Sequence, residues 1–208
     1  MWVNKNVKSM ESCLCVKYGS IHTKFKVGKK TYEVPNGIAH FLEHVKFNVS
    51  DGVTAHDIFY KLGADSNAFT TFEYTNYYCF TTENKDKVVC ELLNFVYNPF
   101  FTKKLIEKEK GIIVEEAKMG IDNSNTLMYF NSLKSALVKS KYRNTITGTP
   151  DDVLKISLDD VCLVYDTFYH PENMFMVVTG SFNPYEIANV VEENLNEKEF
   201  LEYKNPLV

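Results

Sequence analysis

The chain has no run approaching the roughly 18 apolar residues that a membrane-crossing helix needs, which argues against a spanning segment. It also lacks a dense basic stretch. Lys103-Lys104 and Lys108-Glu109-Lys110 interleave with acids and read as solvated helix faces, so no nucleic-acid surface is expected. The opening Met1 to Ser12 is polar and has no apolar core of signal-peptide type. No C-x-x-C pair occurs. The five cysteines (Cys13, Cys15, Cys79, Cys90, Cys162) are odd in number and scattered, which argues against a cysteine-based structural zinc site and suits reduced thiols in the cytoplasm. No Gly/Ser/Pro-rich linker divides the 208 residues, so residues 1–208 are expected to form one domain. A formal charge of −4 and a 45% apolar share fit a mildly acidic soluble domain.

What is present is more specific. Gly37-Ile38-Ala39-His40-Phe41-Leu42-Glu43-His44 carries two histidines four apart, with a glutamate directly before the second. Residues i and i+4 lie one turn apart on one helix face, so both imidazoles can reach a single ion. Catalytic zinc takes three protein ligands and leaves a position for water, and Glu43 is close enough to take a proton from that water. The order is H-x-x-E-H, the inverse of H-E-x-x-H.

Around this segment, Pro35-Asn36-Gly37 predicts a turn and then a helix ending near Phe47 to Asp51. A strand is expected over Cys13 to Tyr18, and a hairpin or loop over Thr23 to Thr31. Thr54 to Leu62 reads as a helix with Thr54 and Asp57 as a capping box and Gly63 at its C′ position. Asn67 to Thr82 is aromatic and β-branched with a break at Glu73, which predicts two strands and a short turn. Helices follow over Asp86–Asn98, Thr102 to about Met119 and Ser124–Ser140. Two further helices start at Asp151-Asp152 and Ser157. A buried strand over Met174–Thr179 and a helix from Asn183-Pro184 to Leu195 complete the pattern. The lack of a strict β-α-β rhythm favours an α+β class, a mostly antiparallel mixed sheet packed by helices.

A third ligand must come from elsewhere. In the helix from Thr102, one face at 100° per residue holds Leu105, Ile106, Glu109, Ile112, Ile113 and Glu116, while Glu107 and Glu115 point away. A carboxylate on an apolar face needs a partner, either a metal ion or a buried Lys or Arg. Glu116 is the stronger candidate ligand and Glu109 the group that orients a ligand or faces substrate. His22, His56 and His170 are not needed.

In these features the chain resembles the N-terminal domain of the insulinase/pitrilysin family of zinc metallopeptidases (inverzincins), which includes the mitochondrial processing peptidases. That family's signature is H-x-x-E-H followed some seventy-odd residues later by an E-(x)6-E helix, and His40, Glu43, His44, Glu109 and Glu116 match it in order. Gly63-Ala64-Asp65-Ser66-Asn67-Ala68-Phe69-Thr70 is similar to G-A-x-x-N-A-x-T. Phe168-Tyr169-His170-Pro171-Glu172-Asn173-Met174 is similar to F-Y-x-P-x-N-M, and Thr75, Tyr77 and Gly148-Thr149 also match. The phrasing is closest to bacterial cytosolic members, including those linked to peptide and bacteriocin maturation.

The resemblance implies peptide-bond hydrolysis on a peptide substrate. His40, His44 and Glu116 would hold zinc (Zn2+), Glu43 would serve as general base and Glu109 as an orienting group. The strand holding Asn67, Ala68, Phe69 and Thr70 would take up an extended peptide by main-chain pairing. Asn67 would then bond near the scissile peptide, or would simply be a turn residue before a strand. Family members close two homologous halves into a clamshell, and the second half supplies groups that bind the substrate carbonyl. The chain matches one such domain, with the family's opening strand expected to be absent, so a second homologous domain or subunit is implied. The alternative is an inert zinc-binding or peptide-binding subunit.

Overall fold

The computed structural model describes residues 1–200 and 202–206; Leu201, Leu207 and Val208 of the expected domain lie outside them. Strand β2 (Met10–Val16) turns Met10, Ser12, Leu14 and Val16 inward, all fully or nearly fully buried. It begins earlier than the expected Cys13 and stops before Tyr18. The inward Ser12 hides the alternation, and its hydroxyl meets Cys79 Sγ at 3.0 Å, so no buried polar group is stranded.

A five-stranded sheet is ordered β1-β9-β2-β8-β7. Strand β7 (Ala64–Thr70) and β8 (Thr75–Thr81) are the expected aromatic hairpin, and β9 (Met174–Gly180) is the expected late strand. β2 pairs antiparallel with both β8 and β9. Before β2 the chain forms β1 (Trp2–Val3), two residues set parallel to β9 at Thr179 and Gly180. The class is α+β, with one parallel pairing in an otherwise antiparallel sheet. Two small hairpins stand apart: β3 (Lys24–Val27) with β4 (Lys30–Glu33), and β5 (Asn48–Ser50) with β6 (Val53–Thr54).

Helices cover the inner face. α1 (Ile38–Lys46) buries Ile38, Ala39, Phe41, Leu42, Glu43, Val45 and Lys46, so apolar contact surrounds it on nearly every side. A helix buried all round belongs to the core of a fold rather than its surface. Phe41 and Leu42, each 0% exposed, contribute about 1.5–3 kcal/mol apiece by burial. Lys46 is also buried. Its Nζ donates to Asn98 O at 3.0 Å and faces the rings of Phe95, Phe101 and Tyr165, while burial pushes its pKa down to about 7.

α2 (Ala55–Lys61) carries the predicted capping box of Thr54 and Asp57, and Gly63 follows at φ +74°. α3 (Lys85–Tyr97) packs on β8 and on α8 (Pro184–Asn196). α4 (Lys103–Asp122) crosses α1 and packs on α6 (Pro150–Lys155); α5 (Ser124–Ala136) follows it, shorter than expected. α7 (Leu158–Phe168) places Phe168 against Tyr18 and Phe25. Among the described residues no helix is long and apolar enough to cross a membrane, and all five cysteines are free.

Candidate metal centre

The centre is built where α1 and α4 cross. α1 starts at Gly37, whose φ of +85° is a left-handed conformation that glycine adopts without cost. The first helical bond, Phe41 N–H to Gly37 O at 2.9 Å, fixes the turn that carries His40. With its neighbours on the helix buried, α1 leaves only its two histidines partly open, and both lie on one side with ring centroids 4.6 Å apart.

α4 supplies the opposing wall. Leu105, Ile106, Glu109 and Ile113 are buried, as the helical phase predicts, and Ala117 is buried beside them; of the rest of the predicted face, Ile112 is 48% exposed and Glu116 is partly exposed. The stripe is therefore narrower than expected. Glu107 and Glu115 turn to solvent, where they pair with Lys110 and Lys118.

His40, His44 and Glu116 bring their ligand atoms within 4.8 Å of one another, and they are the one such group of three or more among the described residues. His40 Nε2 lies 3.5 Å from Glu116 Oε1, and His44 Nε2 lies 3.4 Å from Glu116 Oε2. Those separations are too long for charge-assisted hydrogen bonds, which run at about 2.7–2.9 Å. They match two donors sharing one tetrahedral zinc, which stand about 3.4 Å apart when each is about 2.0–2.1 Å from the ion. Desolvation, and then the neighbouring His44, push the His40 pKa down to about 3, which keeps the ring neutral as a metal ligand requires. Its Nδ1 is buried without a hydrogen-bond partner among the described residues. The donor set fits zinc.

Two carboxylates flank the centre. Glu109, 5% exposed, sets Oε2 4.0 Å from His44 Nδ1, an ion-pair separation on the ring nitrogen that faces away from Glu116. Its other oxygen is 3.8 Å from Nζ of Lys108, whose side chain is 64% exposed and so is not the buried lysine considered as an alternative partner. Glu43 is 7% exposed and accepts a 2.5 Å hydrogen bond from Thr70 Oγ1. Burial raises its pKa to about 7; the Thr70 hydrogen bond opposes the rise and the Glu116 charge adds to it. A carboxyl poised near neutrality suits proton transfer.

Asn67, Ala68, Phe69 and Thr70 all lie within β7, the sheet edge beside α1. Asn67 sits opposite Tyr78 inside the strand, which removes the turn-residue reading, and its Oδ1 accepts the Ala68 N–H at 2.9 Å. The remaining histidines are elsewhere engaged: His22 Nδ1 accepts Gly19 N–H, His56 pairs with Ser66 and stacks on Phe47, and His170 Nδ1 accepts Glu172 N–H. Two features were not foreseen. One is the contact of Thr70 with Glu43. The other is a cavity of about 470 Å3 beside Glu116, lined by Ala117, Leu127, Phe130 and Ile146. The matched Gly148-Thr149 pair, which also lines it, was the only hint in the sequence.

Comparison with known proteins decides the family. The model described as Insulinase (Peptidase family M16) matches residues 3–150. The chain belongs to the M16 insulinase family. A second M16 model, the Peptidase M16 inactive domain, matches residues 155–207. The sheet draws on both segments, since β9 pairs with β2. The M16 chain is 41% identical over 186 residues to the uncharacterized zinc protease YmfH of Bacillus subtilis, covering 88% of this chain and 43% of that protein. A putative M16-like peptidase from Alicyclobacillus acidocaldarius superposes with a TM-score of 0.95 at 36% identity, over 98% of this chain and 48% of the other. A protease from Helicobacter pylori gives 0.83 at 26% identity, over 95% and 47%. The chain thus spans somewhat under half the length of the M16 relatives it matches.

Proposed function

We propose that this chain is the zinc-holding part of an endopeptidase that cleaves small or unfolded peptides. The convergence of His40, His44 and Glu116 on one point, with Glu43 buried on the same helix, carries the reading. When bound, zinc supplies acidification of a water molecule and Lewis-acid polarisation of a carbonyl. Glu43 accepts the proton of the attacking water and returns it to the leaving amine. Glu109 acts on the reaction by holding the His44 ring in place, as groups behind metal ligands do. β7 receives an extended peptide along its open edge, with Asn67 to Thr70 offering main-chain groups. A second homologous domain or subunit completes the clamshell over this edge, with residues 1–208 forming one domain of it. The half-length match to relatives supports that partner. The free thiols support a cytoplasmic setting.

The same half-length match favours a second reading, an inert zinc-binding subunit that offers β7 to peptides without cutting them. Cleavage of an unstructured peptide, measured with and without metal, separates the two. Dialysis against a chelator is expected to abolish cleavage, and one equivalent of zinc to restore it. Cleavage that persists in the metal-free protein would contradict both. Zinc uptake without cleavage, even with the missing half of a relative supplied in trans, would leave the inert reading standing.

A further inference from the structure

The contact between Thr70 and Glu43 joins two parts of the proposed machinery that lie 27 residues apart in the chain. Thr70 ends β7, the strand proposed to take up peptide, yet its side chain turns inward to the carboxylate of α1. We propose that Thr70 is a positioning residue: its hydroxyl engages one oxygen of Glu43, aims the other at the attacking water, and so ties the general base to the substrate strand. The inference rests on the reading of Glu43 as that base.

The hydrogen-bond inventory fixes the direction. A threonine hydroxyl has one proton to give. Thr75 Oγ1, fully buried, gives its proton to the Tyr18 carbonyl at 3.0 Å, an acceptor with nothing to return. Thr75 can therefore only accept from Thr70, and that separation is 3.4 Å. Glu43 Oε2 at 2.5 Å is much the nearer acceptor, so the Thr70 proton points there. Thr75 thereby acts as a backstop that limits where the Thr70 hydroxyl can swing. In the reaction Oε2 keeps its hydrogen bond throughout. Oε1 takes the proton from water and later releases it to the amine nitrogen, and no proton leaves Thr70. Without the hydroxyl, Glu43 would keep its burial but lose the donor that fixes its orientation.

The test compares wild type, Thr70→Val, Thr70→Ala and Thr70→Ser as zinc-loaded full chains cleaving an unstructured fluorogenic peptide. Losing the hydroxyl is expected to lower kcat about 10- to 100-fold with KM within about twofold, and Thr70→Ser to restore most of it, the usual scale for groups that orient an active-site residue. Zinc content should not change. A second readout needs no activity: the Glu43 carboxyl ¹³C resonance of the metal-free protein at one fixed pH, which should move in Thr70→Val and Thr70→Ala and stay in Thr70→Ser. The inference is overturned by an unchanged kcat, by a serine variant as impaired as the valine one, or by a rise in KM alone, which would make Thr70 a substrate contact. If wild type cleaves nothing even with the second half of a relative supplied in trans, the endopeptidase reading fails, and the carboxyl resonance alone decides whether Thr70 holds Glu43.

Discussion

Replacing Glu43 by Gln is expected to cut peptide hydrolysis by about 10²- to 10⁴-fold while leaving zinc content at the wild-type level. The two side chains have the same shape, so the amide fits the buried site and its oxygen can still accept the Thr70 hydrogen bond. What it cannot do is take a proton. Glu43 is also outside the ligand group formed by His40, His44 and Glu116, so removing its charge takes no donor from the metal. Folding should not suffer, because Glu43 is buried and a neutral amide is cheaper to desolvate than a carboxylate. Peptide cleavage together with zinc content measured on one preparation checks this. A Glu43→Gln protein that keeps full activity would remove Glu43 from the chemistry.

The second large effect concerns the backbone behind α1. Gly37 and Gly148 meet there. A Cβ on Gly37 would stand 2.3 Å from Thr147 O, and one on Gly148 would stand 2.7 Å from Asn36 O. Both residues also have positive φ, +85° and +76°. A side chain at either position pays about 1–2 kcal/mol for the left-handed backbone and then collides with main chain that cannot swing away. Gly37→Val is therefore expected to cost several kcal/mol, or about 10 °C in melting temperature at about 2–4 °C per kcal/mol for a chain of this size. Gly28 is the control. Its φ is +59° but nothing among the described residues lies within 4 Å of an added Cβ, so Gly28→Ala should lose only about 1 kcal/mol. Because His40 follows Gly37 by one turn, Gly37→Val should also weaken zinc binding, whereas Gly28→Ala should not. Thermal melts with and without zinc check both. Equal losses for the two variants would show that the close backbone approach does not matter.

Features set by neighbours in sequence were readable in advance. Thr54, Asp57 and Gly63 mark both ends of α2 because caps act within a few residues. The helical phase of α4 placed Glu109 inward and sent Glu107 and Glu115 to solvent, since 3.6-residue periodicity needs no tertiary knowledge. It failed at Ile112, where the position on the wheel is right but the side chain stays 48% exposed. Partners distant in sequence were not readable. β1 pairs with β9 across almost the whole chain, and two residues carry too little pattern to announce a strand. β2 begins early because its inward Ser12 is satisfied by Cys79, a partner that only the folded sheet supplies. For Asn67 the sequence left a turn reading open beside the strand reading because amides favour turns; its pairing with Tyr78 decides for the strand.

The site divides the same way. His40, Glu43 and His44 stand on one short helix and could be read together, and Glu116 followed from the phase of another. The Thr70 hydroxyl on Glu43 and the Gly148 backbone against Gly37 depend on how β7 and the loop before α6 pack on α1. No local pattern encodes either contact.

The account stands on His40, His44 and Glu116 holding one metal ion together, and the zinc content of purified, dialysed protein tests it most directly. Wild type and Glu43→Gln should each retain one equivalent. His40→Ala, His44→Ala and Glu116→Ala should each retain far less, while Glu107→Ala, on the solvent face of the same helix, should match wild type. Full zinc retention by Glu116→Ala, or a wild-type chain that holds no zinc, would contradict it.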